Sequence, residues 1–295
     1  MTKTVNKTKI ISIIDNKCQN QMSTLISFFE QHPVFTQDEY RQFLLSQGTT
    51  NPNTQRELLA YHLKKQHIIR IRRSLFASIP AAFRDVAEEF PVDSYLLAGR
   101  ITQDAVIAYH SAFDLHGVSY SLHHQCLYLS DQLIRPFKFK EADFIRLPFP
   151  NSLLEQDATQ MDVLSIDRQG LDVKVTSLER TLVDVLDRPN YGGGWEEIWK
   201  TADHISILNL DKVINYAQLL NNATTTAKLG FFLEHFKQQF GVDESSLKLL
   251  EAQKPSGVHY LERGKRESGK LLKRWNLVVP TYILDHSWDE PNEDV

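Results

Sequence analysis

Arg70, Arg72 and Arg73 stand in a short run where Ile69 and Ile71 alternate with arginine, and guanidinium groups along a hairpin edge suit phosphate oxygens. Such contacts hold a protein on nucleic acid without reading its sequence. Upstream, Asn53, Thr54, Gln55 and Arg56 follow an Asn51-Pro52 turn, and amide and guanidinium groups at a helix start can pair with adenine and guanine edges in a major groove. Lys64 and Lys65 add cations at the far end of the same segment. The chemistry on offer is recognition of double-stranded DNA.

A second cationic stretch lies near the carboxyl end. Between Lys254 and Trp275 seven Lys and Arg face two Glu, and Lys265, Arg266, Lys270, Lys273 and Arg274 form its dense part. Tyr260 and Trp275 flank it, which fits an added nucleic-acid contact as well as a solvated loop.

Catalytic patterns are weaker. The Tyr191-Gly192-Gly193-Gly194 loop has no Lys-Ser/Thr after it and follows a helical segment, so it reads as an interhelical turn and not a phosphate loop. Ser111, Asp114 and His116 fall on differing helical faces. His116, His123 and His124, with Asp104 or Asp114, lack a diagnostic metal spacing. Asp184 and Asp187 lie three apart on a helix whose Arg180 and Arg188 can neutralise them. No catalytic residue, metal or cofactor is expected.

The elements that position these groups follow from periodicity. Leu25, Ile26, Phe28 and Phe29 give a helix over residues 22–31, stopped by Pro33. Thr36 and Glu39 form a capping box for a second helix through Tyr40, Phe43 and Leu44, closed by Gly48. Leu58, Leu59 and Leu63 stripe a third, which ends near Gln66. Alternation from His67 to Ile79 then gives a hairpin with a cationic tip. Three helices and a basic hairpin are the layout of a winged helix-turn-helix.

Beyond a linker at 81–93, Thr102 is expected to cap a helix carrying Ala105, Tyr109, Ala112 and Phe113, with Asp104 in its first turn. Strands are expected at 126–129, 137–147 and 171–175. Thr176 and Glu179 suggest a second capping box, and Trp195 to His204 a further helix. The fold class is α+β: a winged-helix domain at 1–80, then a larger mixed α/β domain at 94–295.

The 295 residues suit two domains. Residues 1–79 hold 11 Lys and Arg against 5 Asp and Glu, and the remainder 22 against 32, so a basic unit is joined to an acidic one. Cys18 and Cys126 are far apart and form no CxxC, and no run has the roughly 18 apolar residues of a membrane span. A cytoplasmic protein without membrane attachment is expected.

The run from Val175 to Asp184 (VTSLERTLVD), with Arg188-Pro189 and Gly192-Gly193-Gly194-Trp195-Glu196-Glu197-Ile198, resembles the AbiEi family of abortive-infection antitoxins. Tyr109-His110-Ser111-Ala112 with His116-Gly117, and Lys228 to Glu234 (KLGFFLE), are similar to further landmarks of that family, as are Ile68 to Arg73 and Leu75-Phe76-Ala77. The likeness spans about residues 22 to 280. Ser74 stands where related wings often have glycine, and a tip requiring positive φ would strain it. The resemblance implies a DNA-binding antitoxin that binds inverted repeats in its own promoter and counteracts a nucleotidyltransferase-like toxin encoded beside it. It also makes the second basic patch a candidate toxin contact, and it transfers no catalytic residue. Two other readings stay open: a winged-helix transcription factor that senses a ligand through its second domain, and a DNA-directed nucleotide-handling enzyme.

Overall fold

The structure is a computed structural model and describes residues 24–262 and 269–288. Cys18 lies outside the described residues, and Cys126 is buried. The chain is mixed α+β and divides into two units: Met1–Gln103 with Asp167–Val173, and Asp104–Ile166 with Lys174–Val295.

In the first unit a helix over residues 24–31 (α1) ends before Pro33, and β1 (Val34–Thr36) follows. The capping box is present. Thr36 N donates to Glu39 Oε2 at 2.7 Å and Glu39 N to Thr36 Oγ1 at 3.2 Å, opening α2 (Gln37–Ser46). Gly48, at φ +80°, takes the chain past its end. Then come α3 (Pro52–Lys64), β2 (Ile68–Arg72) and β3 (Leu75–Ser78), and the strands form an antiparallel sheet in the order β1-β3-β2. The core is aromatic: Phe28, Phe29, Phe35, Tyr40 and Phe76 are all buried. Such rings bury a large apolar area in a small unit.

A 3₁₀ turn at Ala81–Val86 leads to α4 (Ser94–Ile101), capped by Asp93, whose Oδ1 accepts from the N–H of Tyr95 and Leu96. The division of the structure differs from a boundary at residues 81–93, because α4 belongs with the first unit. Gly99 lies against Val173, and Arg168 Nε donates to Asp93 Oδ2 at 2.5 Å.

The second unit contains β4 (Val106–Ile107), α5 (His110–Leu115), β5 (Gln125–Leu129), β6 (Phe137–Phe139), β7 (Ala142–Leu147) and α6 (Asn151–Glu155). The hairpin of β8 (Val163–Arg168) and β9 (Leu171–Thr176) has its outer part in the first unit. Next are α7 (Leu178–Asp187), α8 (Trp195–Asp203), α9 (Leu210–Leu220), α10 (Ala223–His235) and α11 (Glu244–Glu251). A mixed sheet runs β6-β7-β5-β4-β9-β8, with β5/β7 and β4/β9 parallel. A smaller sheet of β10 (His259–Tyr260), β11 (Gly269–Leu272) and β12 (Leu277–Pro280) precedes α12 (Thr281–Leu284). Among the described residues no helix is long and apolar enough to cross a membrane.

Two sequence-based expectations are corrected here. Thr102 does not open a helix; it follows the last residue of α4, and Ala105 to Ala108 is the wholly buried central strand of the sheet with its flanks. Four apolar residues in a row suit a strand covered on both faces, a pattern that short windows share with buried helix. Asp104 instead accepts from Ser130 Oγ at 2.7 Å and Asp131 N at 2.6 Å. The cap of α7 is Ser177, one residue later than expected, because Thr176 Oγ1 is engaged 2.7 Å from Thr181 Oγ1.

Behind this sheet α7 carries Arg180, fully buried, which donates to the carbonyls of Thr159 at 2.9 Å and Met161 at 2.6 Å. Its partner Asp184 accepts from Tyr216 OH at 2.7 Å, and burial pushes that carboxyl up to about 6 against the opposing pull of Arg180. These residues are structural ties between α7, α9 and the approach to β8.

Candidate nucleic-acid interface

Asn51 caps α3 by accepting from Asn53 N at 2.9 Å, and Pro52 occupies the first turn, where a missing N–H costs nothing. The helix buries Gln55, Leu59 and His62 along one stripe. Asn53, Thr54, Arg56, Lys64 and Lys65 are therefore exposed on its other faces. Gln55 is a correction. Its side-chain Nε2 donates inward to Thr49 O at 2.7 Å, so it fastens the α2–α3 turn. The stripe of Leu58, Leu59 and Leu63 left its direction ambiguous by one residue.

Arg56 extends across the first turn, where Nε donates to Pro52 O at 3.3 Å and Nη2 to Asn53 Oδ1. Its guanidinium is thus held at the helix start with further donors remaining. Arg41 on α2 is exposed, and with Gln37, Tyr40, Pro52, Gln55 and Arg56 it lines one shallow groove. Sequence reasoning missed Arg41, whose signal was its place directly after the buried Tyr40 on an amphipathic helix.

The hairpin tip turns at Arg73-Ser74, with Ser74 at φ +66°. The position does require a left-handed backbone, as a glycine there would supply at no cost. Arg70 is exposed and its guanidinium lies 5.5 Å over the Phe76 ring; Arg73 is exposed and Arg72 half-buried. A register shift between Arg70 and Arg72 breaks the simple alternation read from sequence.

Beneath α3, the Nδ1 atoms of His62 and His67 are 2.8 Å apart, so one ring donates its N–H to the other. Burial, His67 and Arg84 together push His62 down to about 4, and burial with Arg84 and Lys65 lowers His67. The pair is neutral at pH 7.

The carboxyl-terminal patch does not assemble as expected. Lys265 and Arg266 lie outside the described residues, while Lys270 and Lys273 are exposed. Arg274 is turned inward onto Glu234 at 2.7 Å, Glu251 at 3.2 Å and Glu244. Trp275 is fully buried and donates from Nε1 to Glu234 Oε2 at 2.7 Å, so it is no stacking platform. These two residues are an internal tie between α10, α11 and the small sheet.

The weaker constellations are also dispersed. Ser111 Oγ donates to Gln125 O at 3.1 Å and accepts from Leu127 N at 2.8 Å, and His116 Nε2 bonds Thr176 O at 2.7 Å. Asp114 accepts from Ser119. Gly193 and Gly194 adopt φ +86° and +91° ahead of α8, whose first turn carries Glu196 and Glu197 and so repels an anion. Of the histidines, His123 meets buried His110 and Glu197, with His110 Nε2 3.0 Å from Glu197 Oε1. Ser121 N and Oγ already bind that carboxylate, the two imidazoles stack at 3.7 Å, and the three side chains offer ligand atoms within 4.8 Å of one another.

No protein-family model and no curated protein matches the sequence. The structure is similar to the crystal structure of the RV2827C protein from Mycobacterium tuberculosis, with a TM-score of 0.59 over 91% of this chain and 94% of that one. The two are 15% identical, so what they share is a fold.

Proposed function

We propose that the chain is a DNA-binding antitoxin whose amino-terminal unit is a winged helix-turn-helix that represses its own operon. The order α1-β1-α2-α3-β2-β3 with a β1-β3-β2 sheet supports that reading. One observation carries it. Gln37 binds the hairpin tip at Ser74 and lines the same groove as Arg41 and Arg56. Gln37 thus links the hairpin tip to the groove at the start of α3, which supports a reading of the two as one cationic face. Asn53, Thr54 and Arg56 would read bases, while Arg41, Arg70, Arg72, Arg73, Lys64 and Lys65 would hold phosphates.

Counteraction of a nucleotidyltransferase-like toxin rests on the resemblance around Val175 to Ile198 and Lys228 to Glu234. A ligand-sensing regulator is the second reading, favoured by a cleft of about 730 Å³ in the second unit where Arg188, Tyr191, Asn222, Thr225, Lys228 and Tyr260 converge. The deciding experiment is twofold: titration of promoter DNA upstream of the chain's own reading frame, and co-expression with a toxin encoded beside it. Promoter binding without any neighbouring toxin gene favours the sensor, and no promoter binding removes both.

A further inference from the structure

The first unit contains a cavity of about 460 Å³, walled by apolar side chains that include Phe29 from α1, Ile79 after the hairpin, Phe90 and Leu96 from α4. Its size is that of pockets for small organic ligands. Two basic groups reach it, Arg84 and His67. Arg84 is half-buried, and its Nε is shut off from water with no acceptor in hydrogen-bond reach. That atom is closed to an occupant as well as to water, so a ligand meets the rest of the guanidinium, whose planar fork of donors fits a carboxylate best. Of the two acids at the rim, Asp93 is committed to the start of α4 and to Arg168, and Glu30 is exposed.

We propose that this cavity is an effector site for a small apolar carboxylate, with the tail against Phe29 and Leu96 and the head on Arg84. The site is coupled to α3. His67 faces the cavity and hydrogen-bonds His62, the buried anchor of α3, and Phe29 packs edge-on against the same His62 ring at 4.9 Å. An occupant thus touches both supports of the helix that carries Asn53 and Arg56. This regulatory step rests on the DNA-binding reading, whereas the binding site does not.

The test uses the full chain with octanoate and its neutral analogue octanamide, measured by calorimetry and by displacement of anilinonaphthalene sulfonate. Octanoate binds, and Arg84→Gln weakens it about 10- to 100-fold, the worth of one charge-assisted hydrogen bond, while changing octanamide binding less than about twofold. Ala81→Phe, at an exposed position on the cavity wall, abolishes binding of both without altering the circular dichroism. Equal affinity for the two probes, or wild-type octanoate binding by Arg84→Gln, overturns the site. Saturating octanoate shifts promoter affinity by at least about fivefold; a smaller shift overturns the coupling. Arg84-dependent octanoate binding by a protein that binds no promoter leaves the site standing and fells the DNA-binding reading instead.

Discussion

The backbone N–H of Gln37 donates to the carbonyl oxygen of Ser74 across 2.9 Å, fastening the hairpin tip to the first residue of α2. The bond explains why a serine is held at φ +66°, since the turn has to present that carbonyl. Ser74→Val, which adds a β-branch in the left-handed region, should cost about 1–2 kcal/mol in urea denaturation. Ser74→Gly should stay within about 0.5 kcal/mol of wild type, because relief of the strain offsets the extra freedom of the unfolded chain. Equal losses in both variants would contradict a left-handed tip.

Gln55 and Arg56 are neighbours with opposite assignments. Gln55→Ala removes a buried hydrogen bond to Thr49 O and should lower stability by about 1 kcal/mol while leaving the preference for operator over mutated operator intact. Arg56→Ala should leave stability within about 0.5 kcal/mol and reduce that preference by about 1–3 kcal/mol if it reads a guanine. Melting curves beside competition binding separate the two.

Phosphate neutralisation has its own signature. Alanine at Arg70, Arg72 and Arg73 together should weaken binding to every duplex and flatten the salt dependence by about one unit of slope for each phosphate that is no longer neutralised. A titration across salt concentrations with an unchanged slope would remove the wing from the interface.

His62 ties stability to pH. Its folded-state pKa, about 4, lies below the unfolded value, so the unfolded chain takes up the proton first as pH falls. Stability from the neutral His62–His67 pair is complete above about pH 6.5 and should be lost towards pH 4, with a slope of at most about 1.4 kcal/mol per pH unit. His62→Phe should flatten this part of the profile. An unaltered profile in that variant would show that other groups set it.

Gly230 on α10 faces Trp275, and a Cβ there would sit 2.2 Å from the indole Cζ3. Gly230→Ala should therefore cost at the upper end of about 1–3 kcal/mol and disturb the tryptophan near-ultraviolet spectrum, with Trp275→Leu in the same chain restoring part of the loss. Arg274→Glu, set among three glutamates, should lower the melting temperature without touching DNA affinity. Lys270→Glu with Lys273→Glu should do the reverse if exposed cations extend the DNA contact.

Reading the sequence succeeded where local chemistry is decisive. The Thr36–Glu39 box, Pro33 and Gly48 mark helix ends by capping and backbone geometry within a few residues, and the Arg73-Ser74 tip follows from alternation on either side. It failed where the deciding partner is distant in sequence. Ala105 to Ala108 is a strand because β5 and β9 flank it. Arg274 is internal because three glutamates between residues 234 and 251 surround it, and a count of local charge has no means of seeing them. Strand β8 escaped notice because most of its residues are half-exposed or exposed on both faces, which removes the period-two signal.

The path of the chain between the two units has a genetic consequence. Residues Asp167–Val173 return to the first unit, where Gly99 and Asp93 meet Val173 and Arg168, so the backbone passes between the units at three places. Recombination at 103/104 would separate α4 from the hairpin that supports it. A crossover within the segment 81–92 would keep α4, Asp93 and that hairpin in one inherited piece, but would part Arg100 of α4 from Glu39 of α2.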